Sequence, residues 1–199
     1  MLNGKENQIE VSVFQQPKIG NKCNGDYFFY KETETQFISV LADGLGSGAD
    51  ANESSSAAIH IIKDHHTEPM EKLIKLCNNQ LIHKRGVVLG IIKMDLVNKT
   101  FELTSIGNVG IAILKPNGEK KRNIPTPGYL PSYGHSFKVK RGELEPGHVF
   151  LMYSDGVYER SLLKHVTEKQ DMFVITDRYA KRERENIADD TTLLAMRYG

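Results

Sequence analysis

Apolar and polar positions alternate with period two over residues 9–14 (IEVSVF), which predicts a strand. Residues 27–31 and 36–42 (YFFYK, QFISVLA) predict two more, joined by the polar turn Glu32-Thr33-Glu34-Thr35. The period then changes. Residues 49–66 read as a helix with Ala51, Ala58, Ile61 and Ile62 on its apolar face. Residues 68–84 read as a second helix, with Pro69 in its first turn and Met70, Leu73, Ile74, Cys77 and Leu81 at helical spacing. This helical hairpin interrupts a series of strands that resumes at 87–95, 100–106 and 109–114. Asn98-Lys99 and Asn117-Gly118 mark tight turns. Residues 123–135, with Pro125, Pro127, Gly128 and Pro131, predict a loop. Strands follow at about 136–141 and 148–154, a mainly helical stretch at 156–182, and a closing strand at 191–197.

Strands outnumber helices and most neighbouring strands have short connections. That combination favours antiparallel sheets with helices packed on their faces, an α+β layered domain. Internal repeats, low-complexity tracts and Pro/Ser linkers are absent, so residues 1–199 are expected to form a single domain, as the length itself suggests.

Composition narrows the class. Hydrophobic residues make up 39% and charged residues 26% of the 199, which suits a folded globular protein rather than a disordered one. A net charge of +1 gives no electrostatic case for nucleic acid or an anionic membrane. The first residues lack the charged start and apolar run of a signal peptide, and no apolar stretch is long enough to span a bilayer. A cytoplasmic protein is expected. Two cysteines, Cys23 and Cys77, are too few for a disulfide scaffold or a Cys-rich zinc site. The residues six positions beyond them are Phe29 and His83, not the Arg of a cysteine-based phosphatase loop, so packing roles are expected for both.

The most informative polar residues are aspartates at the ends of apolar strands. Asp26 precedes YFFY, Asp43 ends FISVLA, Asp155 ends VFLMYS, and Asp189 and Asp190 precede TTLLAM. Glycine adjoins three of them, in Gly25-Asp26, Asp43-Gly44 and Asp155-Gly156. Taken singly, each Asp reads as a turn residue or helix cap. Together they predict a carboxylate cluster at a sheet rim. Crowded carboxylates repel one another, and a hard divalent cation removes that repulsion. Oxygen-only ligands select Mg²⁺ or Mn²⁺ over Zn²⁺.

The series Gly25-Asp26, Ala42-Asp43-Gly44-Leu45-Gly46-Ser47-Gly48, Ser154-Asp155-Gly156 and Asp189-Asp190-Thr191-Thr192-Leu193 resembles the metal-dependent serine/threonine protein phosphatases of the protein phosphatase 2C superfamily, specifically the bacterial SpoIIE branch. The likeness runs over about residues 9–197. Ala51-Asn52-Glu53-Ser54-Ser55, Lys84-Arg85-Gly86 and Ser105-Ile106-Gly107-Asn108-Val109 resemble stress-response members of that branch. The resemblance implies a four-layer α-β-β-α sandwich of two antiparallel sheets flanked by helices. It implies two divalent ions, Mn or Mg, at one edge. Asp43 would bridge both ions, with the Gly44 carbonyl and Asp26 on one, and Asp155 and Asp189 on the other. Asp43 and Asp155 would be the central catalytic pair. Asp190 stands where relatives carry Asn or Asp, and the sequence does not separate its role from that of Asp189. The implied reaction is metal-dependent hydrolysis of phosphoserine or phosphothreonine without a covalent intermediate. The implied substrate is a phosphorylated stressosome scaffold or antagonist protein, with the stress response turned down as a result. Two departures stand out. Gly107 is followed directly by Asn108, where relatives often carry His, and no arginine adjoins Asp26 to grip phosphate.

Two other readings compete. Gly44-Leu45-Gly46-Ser47-Gly48-Ala49 matches the dinucleotide fingerprint, follows a predicted strand and opens a predicted helix. Against it, Asp43 would set a negative charge beside a pyrophosphate, and the helix runs into another helix instead of a parallel strand. The second alternative is a catalytically silent, phosphatase-like binding module, which would be expected to have lost these aspartates. The seven histidines show no metalloprotease or zinc-finger spacing, and Ser47 is not in a nucleophile elbow. The basic run Arg178, Lys181, Arg182 and Arg184, with Glu183 and Glu185 within it, reads as a solvated helix face.

Overall fold

The computed structural model describes residues 8–20, 23–131, 137–167, 169–183 and 188–199. Strand β3 (Gln36–Gly44) shows how the architecture follows from the sequence. Apart from Ser39, its inner residues are apolar on both faces because both are covered. Phe37 and Leu41 point into one buried cluster, while Ile38, Val40 and Ala42 point into another. Strand β4 (Val87–Asp95) divides in the same way, with Val88, Ile92 and Met94 on one side and Val87, Leu89 and Ile91 on the other.

The first cluster lies between two five-stranded sheets and is completed by Ile111, Phe150, Met152, Leu194 and Met196. The front sheet is ordered β2 (Asp26–Glu32), β3, β4, β5 (Thr100–Ile106), β8 (Lys140–Glu143). The back sheet is ordered β1 (Ile9–Gln16), β10 (Thr191–Tyr198), β9 (Val149–Tyr153), β6 (Gly110–Leu114), β7 (Lys120–Arg122). Every pairing within both sheets is antiparallel. Helices α1 (Ala49–His65) and α2 (Met70–Gln80) bury Ala58, Ile62, Leu73 and Cys77 against the front sheet. Helices α3 (Glu159–His165) and α4 (Met172–Glu183) bury Leu162, Met172, Ile175 and Tyr179 against the back sheet. The result is the expected four-layer α-β-β-α sandwich.

The antiparallel β3–β4 pairing, with a helical hairpin between the strands, overturns the dinucleotide reading. The Gly-rich loop does not feed a βαβ unit, since α1 runs into α2 and not into a parallel strand. The second helix is shorter than expected, ending at Gln80 before His83 takes a positive φ of 75°. Pro69 caps it from outside and is not in its first turn. The strand expected at 136–141 lies at Lys140–Glu143, because pairing with β5 begins only at Leu103↔Lys140. The alternation that suggested it comes from Phe137 and Val139, which instead pack against the α1–α2 cluster. Of the two cysteines, Cys77 is fully buried and Cys23 is only half-buried. Arg178, Lys181 and Arg182 lie on an exposed face of α4, and Arg184 falls outside the described residues. No helix is long and apolar enough to cross a membrane among the described residues.

Candidate active site

The period-two pattern that fills the core also delivers the aspartates to one rim. Asp43 follows Leu41 on the inner face of β3, and the register sets it directly opposite Asp26 at the start of β2. Asp155 follows the end of β9, and Asp189 and Asp190 precede β10, its neighbour in the back sheet. Asp43, Asp155, Asp189 and Asp190 line one open cavity of about 450 Å³ with Gly44, Gly46, Asn108, Gly128 and Tyr129.

Asp26 is buried behind this wall at 2% exposure. Its Oδ2 accepts a 2.6 Å hydrogen bond from the Thr192 hydroxyl, which bridges the two sheets. Its Oδ1 has no hydrogen-bond partner among the described residues. A buried carboxylate oxygen in that state is costly unless a cation or proton meets it. Burial is the main influence on the neighbouring acids. It pushes the Asp43 carboxyl up to about 8, reinforced by the charges of Asp26, Asp155 and Asp189. Burial likewise pushes Asp26 up to about 6, against the Thr192 and Ser154 hydroxyls beside it. Burial and Asp189 raise Asp155, while the Asn108 side chain opposes the rise through a 2.6 Å bond from its Nδ2 to Asp155 Oδ2.

The adjacent aspartates have different surroundings. Asp190 is buried, and both its oxygens accept backbone amides: Lys18 N–H at 2.8 Å and Gly25 N–H at 2.9 Å. It fastens the β1–β2 connection to the start of β10. Asp189 is half exposed, accepts the Asp190 N–H, and lies 3.9 Å from Lys18 Nζ. Its side chain lines the cavity.

Three glycines let backbone close around these carboxylates. At Gly44 a Cβ would stand 2.0 Å from the Ala51 carbonyl oxygen, so α1 can start against the Asp43 turn only if residue 44 has no side chain. At Gly156 a Cβ would meet the Asp190 carbonyl oxygen at 2.3 Å, and at Gly25 it would meet Asp190 Oδ2 at 2.8 Å.

The donor set suits hard cations: it is all oxygen, partly desolvated and mutually repelling. Among the described residues, no three acidic or histidine side chains already converge tightly enough to enclose one ion. Mg²⁺ does not require that. It keeps several waters and is commonly held by one or two carboxylates. The unpartnered Asp26 Oδ1 and the raised Asp43 both mark places where positive charge is wanted.

Asn108 is the functional neighbour that spacing alone did not identify. It stands 47 residues from Asp155, and only the β5–β6 turn beside the end of β9 brings them together. Its one signal in the sequence is the Gly107-Asn108 pair itself.

A family model for stage II sporulation protein E (SpoIIE) matches residues 33–199. The phosphoserine phosphatase RsbX of Bacillus subtilis (strain 168) is 33% identical over 178 residues, covering 89% of each chain. The crystal structure of RsbX in complex with magnesium superimposes with a TM-score of 0.90 at 31% identity, over 98% of both chains. The fold recurs in a chain solved in work on the bacterial stressosome, with TM-score 0.81 and 24% identity over 96% of this chain and 100% of that one. It recurs too in the catalytic domain of the serine/threonine phosphatase PstP in complex with two manganese ions, with TM-score 0.73 and 15% identity over 95% of this chain and 97% of that one.

Proposed function

The chain belongs to the SpoIIE family of PP2C-type phosphatases, and from that premise we propose that it is a metal-dependent phosphoserine/phosphothreonine protein phosphatase. Its substrates would be phosphorylated regulators of a stress-signalling system of the stressosome type, scaffold or antagonist proteins. It would act in the cytoplasm as negative feedback on the stress response, through one phosphatase domain spanning residues 1–199. The observation that supports this most directly is the meeting of Asp43, Asp155 and Asp189 at one rim with Asp26 buried behind it, where burial and neighbouring carboxylates raise Asp26 and Asp43. The relationship to RsbX, whose structure contains magnesium, supports both the substrate class and the metal.

We assign two sites for Mn²⁺ or Mg²⁺. Asp43 would serve both, Asp26 Oδ1 and the Gly44 carbonyl would hold one, and Asp155 and Asp189 would hold the other. Asp190 is assigned to the frame, since its oxygens hold two backbone amides. Bound ions would neutralise phosphoryl charge and acidify a water. The chain's own residues orient and hold the acids. Thr192 fixes Asp26, Asn108 fixes Asp155, and the Gly44–Ala51 contact sets the turn that presents Asp43. The silent-module reading is disfavoured because each acid is retained.

Incubating the protein and Mg²⁺ with a phosphorylated stressosome-type scaffold, followed by mass spectrometry, tests the substrate class. Loss of a phosphoserine with the parent protein, and its retention with Asp43→Asn, is expected. Retention with both, while a phosphoserine peptide is turned over, would move the substrate elsewhere.

A further inference from the structure

The cavity's charged side-chain lining is acidic throughout: Asp43, Asp155, Asp189 and Asp190. A phosphomonoester brings about two further negative charges near neutral pH. Its entry calls for a cation besides any ions at the rim. Lys18 and Arg85 each approach a residue that lines the cavity. Lys18 stands 3.9 Å from Asp189, on the acidic side. Arg85 lies over the Gly-rich loop. Its Nη1 is so close to Gly46 that a Cβ there would stand 2.9 Å away. Gly46 itself lines the cavity.

The backbone beneath Arg85 is fixed. Leu45 N–H donates to the Gly86 carbonyl at 3.0 Å, and Val87 and Leu130 exchange hydrogen bonds at 2.7 and 2.8 Å. The Arg85 side chain is 55% exposed, and its partner is Asp50, 61% exposed, at 2.7 Å in the first turn of α1. An ion pair so open to water contributes little and is readily exchanged. A forked guanidinium–phosphate contact is among the stronger polar interactions, and arginine is suited to it geometrically. Gly46 leaves the space between guanidinium and cavity free of a side chain.

We propose that Arg85 is a substrate-binding residue, which leaves Asp50 to fork onto the phosphate of a phosphoserine entering the cavity beside Gly46, with Asp50 holding it in reserve when no substrate is present. This rests on the phosphatase reading and adds the anion anchor that the residues around Asp26 do not supply. Asp50 and the incoming phosphate then compete for one guanidinium. Removing Arg85 and removing Asp50 must therefore act in opposite directions.

The test uses the full chain with Mg²⁺ and two readouts. One is KM and kcat on a phosphoserine peptide. The other is calorimetric Kd for the same peptide bearing the non-hydrolysable phosphonomethyl-alanine. Arg85→Ala is expected to raise KM and Kd about tenfold, with kcat within about threefold. Arg85→Lys should fall between, and Asp50→Ala should lower Kd about two- to threefold. Unchanged KM and Kd in Arg85→Ala, or equal shifts in one direction for both Ala variants, would overturn the assignment and leave a surface ion pair. If the parent protein neither turns over the peptide nor binds the phosphonate, the phosphatase reading falls and this inference with it.

Discussion

Asp26 and Asp43 face each other across the β2–β3 ladder, so two carboxylates share one end of one sheet face. Like charges directly opposite in a sheet are destabilising, and here both are also largely desolvated. The pair is tolerable in a folded protein only if a proton or a cation stands between or beside the two groups. The site is thus built against the stability of the metal-free fold.

Asp43→Asn should separate the two roles. Turnover should be abolished, because the central acid is gone. In chelator the variant should be more stable than the parent at pH 8, by on the order of 1–3 kcal/mol. For a chain of this size that is about 2–4 °C in Tm per kcal/mol. Thermal melts of both proteins in chelator measure it. A lower Tm for Asp43→Asn would contradict the repulsion argument.

The same pair sets a pH dependence. The ordinary carboxyl value of 3.8 rises to about 6 for Asp26 and to about 8 for Asp43 on folding. The folded chain therefore holds protons that the unfolded chain has released. Stability falls as pH rises above about 4 and levels off only above about 8. In chelator, Tm at pH 5 should exceed Tm at pH 8, and Asp43→Asn should flatten that slope. Added Mg²⁺ should raise Tm more at pH 8 than at pH 5, since binding to the folded state needs the ionised carboxylates.

Asp189 and Asp190 should fail differently. Asp190→Asn sets an amide NH₂ against one of two backbone N–H donors, Lys18 or Gly25. A loss of about 1–3 kcal/mol of stability is expected. Asp189→Asn should leave Tm within about 1–2 °C of the parent while turnover falls steeply. Melts and steady-state assays on both variants decide it. A destabilised Asp189→Asn with a Tm-neutral Asp190→Asn would reverse the assignment.

Asn108→Ala removes the 2.6 Å donor to Asp155. A loss of about 10- to 100-fold in activity or metal affinity is expected, the range for a partner that orients a metal ligand. Titrating activity with Mn²⁺ distinguishes the two: an affinity defect is rescued by excess metal and an orientation defect is not.

Much of this was legible in the sequence, for physical reasons that differ by element. β3 and β4 are doubly buried, and their long apolar runs announce themselves. β7 (KKR) is three exposed charged residues at a sheet edge and carries no hydrophobic signal. Only the Asn117-Gly118 turn, folding it back on β6, makes it a strand. Phe137 and Val139 imitated a strand because period-two spacing also serves a loop that tucks alternate side chains under α2. In the site, the strand-end aspartates stood out by type and position. The partners of the helpers did not, because Thr192, Asn108 and Arg85 reach them across 166, 47 and 35 residues of chain. No local pattern encodes such contacts.

A metal-dependent phosphatase built on these aspartates needs both the metal and the acids for turnover. The most direct measurement is hydrolysis of a phosphoserine peptide by the parent protein and by Asp155→Asn, each with Mn²⁺, with Mg²⁺ and with chelator. Turnover by the parent that requires metal and disappears in Asp155→Asn is the predicted result. Turnover that persists in chelator, or in a folded Asp155→Asn at the parent's rate, would contradict the account.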